Sequence, residues 1–285
     1  MSYNLLSEPI RKYIRDRRWE SLRPIQAAAI SKIISTDNNY ILASRTASGK
    51  TEAAFLPILS KADFNKTGVQ VLYISPLIAL INDQFFRIED LCKDLEIAVT
   101  KWHGEAKKSL KTSLIKNPNG IVLITPESLE AMFVNAPYNV ATLFGNLNYI
   151  VIDEIHSFLG VDRGLQLMSL LSRIQQVNKS KITTIGLSAT IGDENYIEAK
   201  RLTGDIENTK VLLDRTKKET EAKFKYFFNS TAELSLDLLK DLYKETCSHK
   251  VLIFPNSRGR TEEVAVKLRK ISDKLNGHKF YYSHH

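Results

Sequence analysis

Six short apolar runs punctuate the sequence, and most of them lack an alternating polar face. They are YILA (40–43), VQVLYIS (69–75), IVLI (121–124), NYIVID (148–153), TTIGLS (183–188) and KVLIF (250–254). A half-exposed strand alternates apolar and polar side chains, because successive residues point to opposite faces. Runs rich in Val and Ile without that alternation are strands covered on both sides, as in a parallel sheet between helices. The stretches between them have helical character, such as IALINDQFFRIEDLCKDL (78–95) and GLQLMSLLSRIQQV (164–177). In the second, Leu167, Leu170, Leu171 and Ile174 recur at three- and four-residue steps, which gathers them on one side of a helix. Strand–helix alternation of this kind predicts an α/β fold with a mainly parallel sheet.

The length of 285 residues suits one large domain or two ordinary ones. No apolar run reaches the ~18 residues of a membrane helix. The opening MSYNLLSEPIRKYIRDRRWE is too charged for a secretory signal. Two cysteines, Cys92 and Cys247, provide neither a disulfide framework nor zinc spacing, so a reducing, cytoplasmic setting is expected. The formal charge of +8 permits a polyanionic partner.

Composition shifts over GDIENTKVLLDRTKKETEA (204–222), which is polar, charged and weakly periodic and reads as a linker. A second strand–helix pattern follows. Ser230, Thr231, Ala232 and Glu233 have the form of a capping box ahead of Leu234, Leu238 and Leu242. After it come the run KVLIF, a helix expected from about Gly259 to Leu275, and a strand-like KFYYS (279–283). Two or three strands are few for an independent sheet, so this second domain is expected to be cut short.

The chemistry concentrates at strand ends. SRTASGKT (44–51) follows the run YILA and precedes TEAAFLPIL, the strand–turn–helix context that a phosphate-binding loop requires. Thr46, Ala47, Ser48 and Gly49 would present backbone N–H groups to phosphates, Lys50 would reach the β- and γ-phosphates, and Thr51 would ligate Mg²⁺. Ser44 and Ala47 stand where alanine or glycine is commoner, and a Cβ at 47 restricts positive φ. The alternative is a strand-to-helix turn that happens to contain Gly-Lys. A second element, NYIVIDEIHSF, ends a strand in Asp153 and Glu154, with His156 close behind. Asp153 could hold Mg²⁺ through water, and Glu154 could orient an attacking water. A lone acidic turn would be unremarkable, but the two elements together support one another. Ser188, Ala189 and Thr190 end the run TTIGLS, where the hydroxyls could contact the acidic pair. Gln26 precedes the loop, and its amide could read adenine's donor and acceptor, with Arg23 and Pro24 shaping that turn.

Two further turns share a design. Ser75-Pro76 and Thr125-Pro126 each place a hydroxyl residue at an expected N-cap and proline at the first helical position. Helix N-termini on one sheet edge would offer N–H groups to a nucleic-acid backbone. Ser257 and Arg258 follow KVLIF in a similar placement, and Trp102 and His103 lie in a basic segment that could stack on bases or touch a backbone.

In order, the segments LRPIQ, SRTASGKT, SPLIALINDQ, TPESLE, DEIH, SAT and VLIFPNSRGRTEE resemble a superfamily 2 DExH-box helicase. WHGEAKKS and DEIHSFLGVDRGLQLMSLLSRI resemble the Lhr-like (large helicase-related) group in particular. The resemblance implies a RecA-like P-loop domain over 1–205, and a linker with the truncated start of a second RecA-like domain over 206–285. It implies ATP and Mg²⁺ as cofactors and ATP-driven 3′-to-5′ movement on nucleic acid. Gln26 matches the adenine-reading glutamine, Lys50 and Thr51 the phosphate and metal residues, and Asp153 and Glu154 the acidic pair. His156, Ser188 and Thr190 match coupling residues. The expected partner is single-stranded or partly duplex DNA or RNA, in the company of proteins of a repair or defence complex. The second lobe's ATP-facing arginine has no match here, so little ATPase is expected of this chain alone. The competing readings are an ATP-binding nucleic-acid docking module without turnover, and a P-loop kinase or metabolic ATPase.

Overall fold

The computed structural model describes residues 2–45, 47–189, 195–216, 221–229, 233–278 and 280–284. A short 3₁₀ segment, Ser2–Leu5, precedes α1 (Glu8–Asp16) and α2 (Pro24–Ser35). Strands and helices then alternate: β1 (Asn39–Ala43), α3 (Lys50–Lys61), β2 (Val71–Ile74), α4 (Ile78–Cys92), β3 (Val99–Trp102), α5 (Lys108–Lys116) and β4 (Ile121–Ile124). There follow α6 (Pro126–Asn135), α7 (Pro137–Phe144), β5 (Tyr149–Ile152), α8 (Asp162–Val177), β6 (Thr183–Ser188), α9 (Asn195–Leu202) and β7 (Thr209–Leu213). The last helices are α10 (Leu236–Thr246) and α11 (Arg258–Lys274).

The seven strands form one sheet in the order β3-β4-β2-β5-β6-β1-β7. Every pairing is parallel; β1 aligns Ala43 with Ser188 of β6, and β2 aligns Ile74 with Ile152 of β5. The carboxyl ends of the central strands are therefore level, and the loops leaving them share one edge. The strands' apolar residues divide between two cores. Tyr40, Leu42, Val71, Tyr73, Val151 and Leu187 face one of them. Ile41, Ala43, Leu72, Ile74, Ile150 and Ile152 face the other. This is why the runs lack a polar face: each side of the sheet is roofed by helices. Full burial of each such side chain stabilises the fold by ~1.5–3 kcal/mol. Leu167, Leu170 and Ile174 of α8 are buried, and Leu171 is half-buried.

Two strands escape the pattern that reveals the others. Both edge strands, β3 and β7, have one neighbour and are only partly covered. Strand β7 falls within the expected linker at 204–222, and it pairs with β1 from Asn39↔Thr209 to Ala43↔Leu213. The chain accordingly divides after Thr216 rather than at the expected 205/206 boundary, with Met1–Thr216 as one compact unit and Lys217–His285 as the other. The physical reason is that β7 completes the sheet edge beside β1.

The second unit, taken by itself, gathers Val264, Leu268 and Tyr281 around α10 and α11, with Leu234, Leu242 and Tyr243 packed against them. KVLIF and KFYYS are not strands among the described residues. Strands are defined by their ladder partners, and Leu252 and Phe254 are 80% and 85% exposed. The expected capping box lies outside the described residues at 230–232; α10 is capped instead by Ser235, whose hydroxyl accepts the Leu238 N–H at 3.2 Å. No helix among the described residues is long and apolar enough to cross a membrane.

Candidate nucleotide-binding site

Strand β1 delivers the loop at 44–49 to the carboxyl edge of the sheet. Gly49 caps α3 with φ 82°, and Ala47 also takes positive φ, 61°. The loop therefore adopts the left-handed geometry that sequence reasoning expected Ala47 to resist, at a cost of ~1–2 kcal/mol for a residue with a Cβ. Surrounding contacts hold it there. The Arg23 guanidinium donates to the Ala47 carbonyl, and the Ser44 and Ser48 hydroxyls bond to each other at 2.6 Å. Gln26 accepts the Arg23 N–H at 3.0 Å, and its Nε2 lies 3.4 Å from the Gly49 carbonyl. A Cβ added to Gly49 would push against that Nε2, the mobile end of a flexible side chain that could move aside, so it is the left-handed φ that calls for glycine here.

Lys50 is the first residue of α3. Its ammonium donates to the carbonyls of Ser44 and Arg45 at 2.8 and 2.9 Å, closing the loop upon itself. Burial pulls its pKa below the ordinary lysine value, while the Glu154 and Asp153 carboxylates act in the opposite direction. The two sequence elements are thus electrostatic neighbours. Thr51 is buried, and its hydroxyl donates to Gln84 Oε1 of α4 at 3.0 Å. Thr46 lies outside the described residues.

Strand β5 supplies the acidic half. Asp153 follows its last residue, and its N–H donates to the Ile74 carbonyl at 2.8 Å, which locks the strand end to β2. The Asp153 side chain is buried and accepts the Glu154 N–H at 3.0 Å. Burial raises its carboxyl pKa; the nearby Lys50 and Tyr73 partly offset that, while Glu154 adds to it. The fully buried Tyr73 hydroxyl sits beside Asp153 without a well-formed hydrogen bond, and burial together with that carboxylate pushes the phenol well above its ordinary pKa. Hard carboxylate and hydroxyl oxygens at one sheet edge suit Mg²⁺, which takes few protein ligands and leaves room for water and phosphate. Thr51 and Asp153 are the residues that could supply such oxygens.

Further side chains lie close behind this acidic pair. Glu154, in the left-handed region at φ 44°, turns its carboxylate to within 3.3 Å of His156 Nδ1. The Ser188 hydroxyl lies 3.3 Å from the same nitrogen. The Ser44 N–H donates to the Ser188 carbonyl at 3.2 Å, so the strand bearing the phosphate loop is tied to the SAT element as well. Thr190 lies outside the described residues.

Beside the loop is a cleft of about 530 Å³ lined by Trp19, Arg23, Gln26, Gly49, Glu52 and Arg87 among others. The structure brings Arg23, Gln26, Ala47 and Gly49 to its wall.

The two Ser/Thr-Pro turns differ from each other. Thr125 is the N-cap of α6, accepting the Ser128 N–H at 3.3 Å, with Pro126 at the first position. Ser75 does not cap α4: the helix begins at Ile78 behind Leu77. Ser75 is instead fully buried, its N–H committed to the Ile124 carbonyl, because the sheet's ladder extends one residue past β2. The two turns are joined by Arg163 at the start of α8. Its guanidinium donates to the Pro76 carbonyl at 2.6 Å and grips both Glu127 oxygens at 2.7 and 3.0 Å. Burial of Glu127 would raise its pKa, yet the arginine holds it below the ordinary value. Trp102 ends β3 and His103 follows it; the Lys111 ammonium lies 5.6 Å from the centre of the Trp102 ring and donates to the His103 carbonyl at 2.7 Å. Ser257 and Arg258 open α11 in the second unit, where Ser257 caps the helix by accepting the Arg260 N–H at 3.2 Å.

Sequence reasoning missed Gln84 and Arg163 as site residues. Both lie inside segments whose pattern was noticed, SPLIALINDQ and GVDRG, but a glutamine and an arginine on amphipathic helices look like solvated positions until the neighbouring elements are in place.

Residues 23–199 match the profile of the DEAD/DEAH box helicase family. The chain belongs to that family. Among curated helicases it is 32% identical to the ATP-dependent helicase Lhr-Core of Methanocaldococcus jannaschii, over 94% of this chain and 34% of that protein. It is 28% identical to the ATP-dependent DNA helicase Hel308 of Pyrococcus horikoshii, over 93% of this chain and 35% of that protein. Among solved structures, the helicase Lhr of Mycobacterium smegmatis bound to ssDNA and AMP-PNP superposes with a TM-score of 0.82 at 26% identity, covering 96% of this chain and 37% of that one. The helicase chain thus spans about a third of the length of the relatives it matches. Its first unit is a RecA-like α/β domain, and its likeness is to the Lhr-like group that the segments around DEIH suggested.

Proposed function

We propose that this chain is the ATP-binding part of an ATP-driven helicase that moves 3′ to 5′ along a nucleic-acid strand. One observation carries the proposal: the Lys50 ammonium at the start of α3 and the Asp153–Glu154 carboxylates just after β5 lie at the carboxyl end of one sheet and feel each other's charge. In this reading the phosphates rest on the N–H groups at residues 46–49 and the N-terminus of α3. Lys50 exchanges its two loop carbonyls for phosphate oxygens. The adenine lies in the cleft against Gln26 and Arg23. Thr51 and Asp153 would hold Mg²⁺, which would supply positive charge against the phosphates. Glu154 orients the attacking water, and its contact with His156 and on to Ser188 passes the state of the phosphate to the strand-facing side. Thr46 and Thr190 belong to this reading as a loop and a coupling residue. The α6 N-terminus after the buried Thr125 and the turn that follows the buried Ser75 and Pro76, braced by Arg163, are the contacts proposed for the backbone of a single strand of DNA or RNA; Ser257 and Arg258, at the start of α11 in the second unit, are proposed separately as strand contacts. That unit is the start of a second RecA-like lobe, and efficient hydrolysis and unwinding belong to a protein of the relatives' full length. Other proteins of a repair or defence complex are the further partners proposed, acting in the cytoplasm.

The relatives' names support the reading, because both Lhr-Core and Hel308 are called ATP-dependent helicases. The test is titration of a fluorescent ATP analogue with Mg²⁺ into the wild type and Lys50→Ala. Binding that survives unchanged in the variant would refute the assignment. Glu154→Gln should keep nucleotide binding while strand-stimulated hydrolysis by the longer protein falls by roughly 10²-fold or more, on the scale of a lost catalytic base. If wild-type protein binds nucleotide and strand together yet never turns over at any length, it is a docking module instead.

A further inference from the structure

We propose that Gln84 is a positioning residue for the metal-binding hydroxyl of Thr51. A threonine hydroxyl has one proton and two lone pairs. To face a cation with a lone pair, it must send its proton elsewhere. Here the Thr51 proton goes to Gln84 Oε1 at 3.0 Å. A helical threonine ordinarily has another acceptor, the carbonyl four residues back. For Thr51 that carbonyl belongs to Ala47, and it already receives the Arg23 guanidinium. The Gln84 amide is turned the right way round, with Nε2 directed at Asp83 Oδ2 at 3.4 Å and Oε1 left for the hydroxyl. Thr51 is buried, so water does not readily replace the glutamine.

The position of Gln84 gives this contact a second consequence. It lies in the second turn of α4, the helix that leaves the Ser75-Pro76-Leu77 turn held by Arg163 at the Pro76 carbonyl. The helix that begins at the proposed strand-facing turn therefore ends its reach on the hydroxyl that orients the metal. Gln84 never touches nucleotide; it acts through Thr51, as outer-shell partners of metal ligands do.

The proposal rests on reading this loop as a Mg²⁺-nucleotide site, and the experiment separates the two. Binding of a fluorescent ATP analogue is measured for wild type, Gln84→Ala, Gln84→Glu and Lys50→Ala, each in excess Mg²⁺ and in EDTA. Gln84→Ala should weaken binding by about 10-fold in Mg²⁺, the lower end of what outer-shell substitutions do, and leave the EDTA affinity and the melting temperature unchanged. Gln84→Glu retains an acceptor and should restore Mg²⁺-dependent binding. If Gln84→Ala matches the wild type in Mg²⁺, or weakens binding equally with and without the metal, the role given to Gln84 is wrong while the nucleotide site stands. If the wild type itself binds nothing, or Lys50→Ala binds as well as wild type, the nucleotide reading fails and Gln84's role falls with it.

Discussion

Asp153 illustrates how a functional residue can oppose the fold that holds it. Burial places its folded-state carboxyl pKa above the ordinary 3.8. Between those two values the folded chain keeps a proton that the unfolded chain has lost. The residue's contribution to stability therefore falls as pH rises through that window, and above it the folded state carries the whole cost of a buried charge. Asp153→Asn removes that cost and still accepts the Glu154 N–H. It should raise the melting temperature at pH 7. The gain should shrink as the pH is lowered toward 4. Mg²⁺-dependent nucleotide binding has the opposite sign: it needs the ionised carboxylate, so it should weaken as pH falls through the raised pKa and be lost in the asparagine variant. Equal melting temperatures for the two proteins at pH 7 would contradict this account. Gly49 makes a complementary case. Gly49→Ala would meet both the φ of 82° and the Gln26 amide 2.4 Å away. We expect a loss of ~1–2 kcal/mol from the backbone alone, read by denaturant unfolding, with nucleotide affinity falling as Gln26 is displaced from the cleft.

At the scale of elements, the sheet edge works because each strand end is tied to its neighbour before the loops diverge. The Asp153 N–H to the Ile74 carbonyl and the Ser44 N–H to the Ser188 carbonyl are two such ties. Helix starts are placed with the same economy. Thr125 caps α6 while Pro126 fills a position that has no N–H to lose. Thr125→Ala should cost about 1 kcal/mol, or roughly 2–4 °C in melting temperature. An unchanged melting temperature would mean that the cap contributes nothing. Arg163 binds the starts of two helices to a third, so its loss should weaken single-strand binding more than it lowers stability, since its partner Glu127 is itself 57% exposed at the side chain.

At the scale of the whole chain, the first unit has cores on both faces of its sheet and does not need the second to be covered. A fragment ending at Thr216 should melt cooperatively and bind nucleotide with Mg²⁺. A fragment ending at 205 loses β7, strips β1 of one of its two neighbours and should melt lower or aggregate through the bared edge. Equal stability of the two fragments would show that β7 is dispensable. The central strands and the site motifs were readable in advance, because burial on both faces removes alternation and because phosphate chemistry demands small and cationic residues at a strand–helix junction. YILA, VLYI, IVLI and YIVI announce themselves in this way, and so do Gly49, Lys50, Thr51 and Asp153. The edge strands VTKW and TKVLL did not, since a strand with one neighbour and a half-wet face carries no distinctive pattern; nor could the sequence reveal that KVLIF, apolar from Val251 to Phe254, has no ladder partner among the described residues. The local code thus determined which candidate residues gather at the carboxyl end of the sheet and which strands fill its centre. The tertiary structure alone decided the pairing of β7, the burial of Ser75 where a cap was expected, and the meeting of Gln84 with Thr51 and of Arg163 with Pro76 and Glu127, because those depend on contacts between segments far apart in the chain.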